Sequence, residues 1–194
     1  RCFIAPGLPM IVAIDAGNSR IKWGLHDGAG WEARGVLATA DAGWLSEAAE
    51  EWPADARVVV CNVAGAEVAR GIRAALGARQ RDVHDFVASA SCCGVTNAYE
   101  HPEQLGADRW AALLGAHAMQ LAPAAPRLVV CAGTATTIDL LSADGDFRGG
   151  IILPGFDLMR SALAGNTAQL PLAEGEYRAE PRNTMDAIVS GCRN

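Results

Sequence analysis

An α/β fold built from two copies of one unit is what this 194-residue sequence predicts, and three observations predict it. Apolar runs of strand length alternate with amphipathic segments of helix length. "IVAIDAGNSRIKWGLHDG" (11–28) lines up with "LVVCAGTATTIDLLSADG" (128–145), which marks an internal duplication. Hydrophobic residues make up 51% of the chain and charged ones 20%, enough apolar material for packed cores rather than disorder.

The elements follow in order. "MIVAID" is a buried strand, and the alternating "RIKWGLH" is its hairpin partner, ending at the turn Asp27-Gly28. "EARGVLA" is a third strand. "DAGWLSEAAEEW" places Trp44, Ala48 and Trp52 at i, i+4 and i+8, which predicts a helix. "ARVVVCNV" is a continuous apolar strand, "AEVARGIRAAL" a helix ending at Gly77, and "HDFVA" a short strand. "QLGADRWAALLGAHAMQL" carries Leu105, Ala112, Leu113 and Ala116 as a helical stripe, a helix bridging two halves. In the second half the strand, turn and strand recur: Ala16-Gly17 matches Ala132-Gly133, Asn18 matches Thr134, and Asp27-Gly28 matches Asp144-Gly145. The offset is 116 residues, or 117 at the second turn, and a chance likeness of two glycine-containing hairpins is the competing explanation. "DFRGGIILPG" is a strand and turn, and "FDLMRSALAG" and "NTMDAIVSGC" are helices. The first unit goes on to two further strands; the second does not, so it reads as truncated.

Net charge is -6, which argues against a nucleic-acid binder with a broad basic face. No apolar run reaches the roughly 18 residues that cross a bilayer, so no membrane association is expected. "RCFIAPGLPM" lacks the pattern of a signal peptide and reads as an extension ahead of a start at Met10. The six cysteines (Cys2, Cys61, Cys92, Cys93, Cys131, Cys192) form no C-x-x-C pair and no zinc spacing with histidine, so reduced thiols in a cytoplasmic protein are expected. Cys61 and Cys131 lie in apolar runs and read as small buried hydrophobes. Cys92–Cys93 is a vicinal pair with no evident role. His26, His84, His101 and His117 are scattered, and His101, near Tyr99, reads as a surface residue.

The chemistry concentrates in "DAGNSRIK", Asp15 to Lys22. A tight turn after a strand exposes backbone N–H groups, and Gly17 lets a phosphate approach them. Asn18 and Ser19 add side-chain donors. Lys22 adds positive charge on the face that strand alternation also gives Arg20. Asp15 repels phosphate, so its place is on Mg2+, directly or through water, with the metal bridging to phosphate oxygens. A polar β-turn with an ordinary surface lysine explains the same residues without a ligand. The second turn, with Thr134, Thr136 and Thr137, tips the balance: two such turns at equivalent points of two repeats can clamp one phosphate chain. A nucleotide cleft between duplicated units of this kind is the actin, sugar kinase and Hsp70 arrangement.

"DAGNSRIKWG", "QLGADRW", "GTATTID", "GGIILPG" and "RNTMDAIVSG" occur in the order found in type III pantothenate kinases, and the chain resembles that family over about residues 11 to 192. The resemblance implies an α/β fold of duplicated RNase H-like (actin-like) units, mixed sheets flanked by helices, with domains at 10–117 and 118–194, the second incomplete. It implies ATP-dependent phosphorylation of pantothenate, the first step of coenzyme A synthesis, by a homodimer. Residue by residue, Asp15, Ala16, Gly17, Asn18, Ser19, Arg20, Ile21 and Lys22 resemble the first ATP phosphate loop, and Thr134 the second-loop residue that touches ATP. Asp108 resembles the catalytic base. Tyr99, Gly106, Ala107, Asp108, Arg109 and Thr184 resemble the substrate site, where Arg109 suits a carboxylate because a guanidinium grips it bidentately. The family often has aspartate where Cys131 stands; a neutral thiol is a poor ligand for the hard monovalent cation (K+ or NH4+) that the resemblance implies. The family also continues further, with a glycine-rich segment near the adenosine. Two rival functions share the fold: an accessory protein without turnover, and a kinase for another small alcohol.

Overall fold

The computed structural model describes residues 10–77, 81, 83–119, 125–172 and 174–193, so Cys2 and the N-terminal extension lie outside the described residues. The chain divides into two compact units: residues 1–127 with 140–149, and residues 128–139 with 150–194.

The first unit begins with the strands β1 (Ile11–Ala16), β2 (Arg20–His26) and β3 (Trp31–Ala38). A 3-10 turn (Thr39–Trp44) leads into the one-turn helix α1 (Leu45–Ala48), then β4 (Arg57–Asn62), helix α2 (Ala66–Gly77) and β5 (Val83–Phe86). The sheet order is β3-β2-β1-β4-β5, with β1, β2 and β3 antiparallel and β4 and β5 parallel to β1. Strand alternation sorts the side chains: Val12, Ile14, Ala16, Val58 and Val60 are buried in one core with Leu45, Ile72 and Leu76 from the helices. Each large aliphatic residue fully buried there contributes about 1.5–3 kcal/mol relative to exposure. Ala13, Asp15, Val59 and Cys61 face a cavity on the sheet's other side.

The helix expected over "DAGWLSEAAEEW" is shorter and rotated. Trp44 is 62% exposed, and Ala42, Leu45, Ala49 and Trp52 supply the buried face. One arginine compensates for the missing turns. Arg81 donates to the carbonyl oxygens of Pro53, Ala49 and Trp52, with its guanidinium over the Trp52 ring.

A hairpin that the sequence reading did not include, β6 (Ser91–Cys92) and β7 (Val95–Asn97), precedes a short 3-10 turn and helix α3 (Ala107–Ala118). The bridging helix is therefore shorter than expected, and it buries Arg109, Trp110 and Leu113.

Then come β8 (Arg127–Ala132), β9 (Ala135–Leu141), β10 (Asp146–Pro154), α4 (Phe156–Asn166) and α5 (Thr184–Arg193). The second sheet runs β6-β7-β10-β9-β8. β9 and β10 contribute residues to both units. Gly28 and Gly145, at the turns that the two aligned segments share, have φ of 101° and 95°. In the second unit Ile188 and Val189 are buried against Phe156, Leu163, Leu170 and Met185. Among the described residues no helix is long and apolar enough to cross a membrane.

Candidate active site

Asp15 sits at the end of β1, paired in register with Lys22 on β2 and with Cys61 on β4. Lys22 Nζ donates to Asp15 Oδ2 at 3.3 Å, and the two side chains are 65% and 46% exposed. Acid and base thus hold each other at the surface, flanking the turn between β1 and β2. Gly17 N–H donates to the Arg20 carbonyl at 3.0 Å, which closes that turn. Thr39, which the sequence reading did not single out, clamps it from the start of the 3-10 turn after β3: its hydroxyl donates to the Gly17 carbonyl at 2.6 Å and its N–H to the Ser19 carbonyl at 3.2 Å. Asn18, Ser19 and Arg20 are exposed on the turn, whereas Ala16 and Ile21 are wholly buried and offer a ligand only their backbone.

Asp108 lies in the first turn of α3, exposed, and its Oδ1 accepts the N–H of Arg109 at 2.8 Å. A Cβ on Gly106 would stand 2.6 Å from that oxygen, so glycine there leaves room for the carboxylate. Arg109 is turned the other way and is 5% exposed. It donates to the Tyr99 hydroxyl at 3.0 Å and lies over the Tyr99 and Phe147 rings. Asn97, buried and also unforeseen, fixes this corner: its amide donates to the Ser89 and Pro102 carbonyls and its oxygen accepts the Tyr99 N–H.

Cys61, the register partner of Asp15 on β4, is buried. Burial first, and then the charges of Asp15 and Asp108, push its thiol up to about 12. Beside it is a cavity of about 350 Å3 lined by Asp15, Lys22, Trp23, Trp31, Arg34, Cys61 and, from α3, Ala111.

In the second unit Thr134 is exposed in the two-residue turn between β8 and β9. Gly155, before α4, packs on this turn and donates its N–H to the Thr134 carbonyl at 2.8 Å. Thr137 is buried rather than presented by the turn, because alternation along β9 sends it inward. Thr184 is exposed at the start of α5. Cys131 corrects the expectation of a buried hydrophobe: it is exposed, because β8 is the last strand of its sheet. Among the described residues no group of three or more His, Cys, Asp or Glu side chains is placed to hold a metal by itself.

The sequence profile of type III pantothenate kinases matches residues 11–194. The chain belongs to the type III pantothenate kinase family. A family member from Aromatoleum aromaticum is 58% identical over 188 residues, covering 95% of this chain and 75% of that protein. One from Dechloromonas aromatica is 52% identical over 182 residues, covering 94% of this chain and 75% of that protein. Both are named type III pantothenate kinase. Among solved structures, a Campylobacter jejuni protein assigned to the Baf transcriptional-activator family aligns with TM-score 0.58 at 20% identity, covering 93% of this chain and 72% of that one. A Sinorhizobium meliloti protein assigned as a 2-dehydro-3-deoxygalactonokinase aligns with TM-score 0.51 at 21% identity, covering 81% and 58%. These structures share the fold of this kinase-family chain, the actin-like α/β arrangement of mixed sheets flanked by helices.

Proposed function

We propose that the chain transfers the γ-phosphoryl group of ATP to the primary hydroxyl of pantothenate, with Asp108 as the base. The observation that carries the reading is the family match over residues 11–194. The site's chemistry supports it. Asp108 offers an exposed carboxylate and Lys22 an exposed cation, and phosphoryl transfer to an alcohol needs one group to take a proton and others to meet phosphate charge. In the step itself the alcohol oxygen bonds to the γ-phosphorus, its proton passes to the Asp108 carboxylate, and the bond from phosphorus to the bridging oxygen breaks, releasing ADP. The exposed turn residues Asn18 and Ser19 receive phosphate oxygens where Gly17 leaves room for them, Lys22 exchanges its bond to Asp15 for one to phosphate, and Thr134 carries the second-turn contact with ATP. Tyr99, Gly106, Ala107, Arg109 and Thr184 bind pantothenate.

The donor set fits Mg2+. A single exposed carboxylate is what this ion commonly takes from a kinase, the remaining positions being waters and phosphate oxygens. Asp15 would hold it, and the ion would supply neutralisation of phosphate charge. Cys131 offers only a soft sulfur, so K+ or NH4+ dependence through that position is weak. Among the described residues no disulfide joins the cysteines, in keeping with a cytoplasmic setting, and a homodimer is what the family resemblance implies.

ADP release measured with ATP and pantothenate together tests the reading. Asp108→Asn is expected to lower kcat by about 10²–10⁴ with an unchanged melting temperature. Unchanged turnover would remove Asp108 from the role, and faster turnover of a sugar than of pantothenate in an acceptor panel would overturn the substrate.

A further inference from the structure

The vicinal cysteines have no part in the phosphoryl-transfer site. They lie in the β6–β7 hairpin, where Cys92 pairs with Val95 and leaves Cys93 and Gly94 as a two-residue turn. Both turn residues have positive φ, +49° and +82°, the sign pattern of a type I′ turn. Cys93 is the one non-glycine residue with positive φ among those described, in a conformation that asparagine, aspartate or glycine adopts at less cost. The turn is held from below. Thr96 N–H donates to the Gly145 carbonyl at 3.0 Å, and a Cβ on Gly145 would meet the Gly94 carbonyl oxygen at 2.4 Å and the His117 ring at 3.0 Å. The hairpin has no room to settle further onto this floor.

On this fixed turn the Cys92 and Cys93 sulfurs stand 3.5 Å apart, Cys92 half-buried and Cys93 exposed. A disulfide needs about 2.05 Å, so bonding the sulfurs to each other would require the turn to move. Two sulfurs that share one arsenic(III) atom stand at about the separation seen here. Among the described residues no third His, Cys, Asp or Glu joins them, so the four-ligand set of a structural zinc is not present. A pair of thiols alone selects a soft centre that is satisfied by two sulfurs.

We propose that Cys92 and Cys93 form a binding site for monosubstituted trivalent arsenicals, R–As=O. Two As–S bonds form, the As=O bond breaks, and the two thiol protons leave with that oxygen as one water. Arsenic stays trivalent and neither sulfur is oxidised. The turn has already set the sulfur spacing, so little ordering remains to oppose chelation.

Phenylarsine oxide is the probe, and intact-protein mass spectrometry is the readout. One phenylarsenic group, bound with loss of one water, is expected to survive excess glutathione and to leave with 2,3-dimercaptopropanol. Cys92→Ser and Cys93→Gly are each expected to reduce the glutathione-resistant adduct to background. Cys93→Gly also suits the left-handed φ, so its melting temperature should equal or exceed that of the unmodified protein. An adduct that glutathione strips from the unmodified protein, or one that persists at full yield in Cys93→Gly, overturns the proposal.

Discussion

Strands β1 and β8 are copies of one sequence pattern with opposite surroundings. β1 has antiparallel β2 on one side and parallel β4 on the other, and its Val12, Ile14 and Ala16 are buried. β8 is the last strand of its sheet, and Leu128 and Val130 are 68% and 56% exposed. The two turns differ as well. Residues 17–19 separate β1 from β2, while only 133 and 134 separate β8 from β9. The same sequence pattern therefore makes a hairpin in both places, while the burial of each strand depends on what packs on it.

This contrast can be broken by mutation. The largest stability effect belongs to the first unit's core. Leu45→Ala is expected to cost about 2–5 kcal/mol in urea unfolding, as for other fully buried leucines. Val130→Thr, on the exposed strand β8, should stay within about 0.5 kcal/mol. Comparable losses at the two sites would mean that β8 is covered in solution.

The turns give the next effect. A Cβ on Gly155 would fall 2.0 Å from the Gly133 carbonyl oxygen, whereas one on Gly17 would meet the Arg20 carbonyl at 3.3 Å. Gly155→Ala should cost about 1–3 kcal/mol by overpacking, and Gly17→Ala less. The reverse order would deny that the second turn is the tighter one.

The smallest effect is chemical. Cys61 is buried with its thiol pushed up to about 12, while Cys131 is exposed. Iodoacetamide at mild alkaline pH should alkylate Cys131 and spare Cys61 until the protein unfolds. The sign for stability follows from linkage. Above about pH 9 the unfolded Cys61 loses its proton while the folded one keeps it, so the unfolded state binds fewer protons. This contribution is full below about pH 9 and is lost as pH rises towards about 12. Cys61→Ala should flatten that part of the stability profile.

Much of the fold was legible in the sequence. Period-two alternation and turn glycines placed β1 to β5 and β8 to β10 close to where they lie, because each strand has its own pattern. The β6–β7 hairpin was not legible: its strands have two and three residues, too few for a period, and its turn uses cysteine where asparagine or aspartate would signal one. In the candidate site Asp15 and Lys22 stood out by residue type, and Asp108 only through the family resemblance. Thr39 and Asn97 did not, since each acts through backbone atoms that only the folded chain brings to it. Cys131 was misread because an apolar run says that a strand is suited to burial and not that another element covers it.

Arg81 has a consequence for the order of events in folding. The carbonyls of Ala49, which caps α1, and of Trp52 and Pro53 just beyond it are held by a guanidinium 28 to 32 residues further along the chain. A helix of one turn cannot nucleate by itself in water. Its formation must therefore await long-range closure, and refolding kinetics should find α1 among the late structures although its residues are neighbours in sequence.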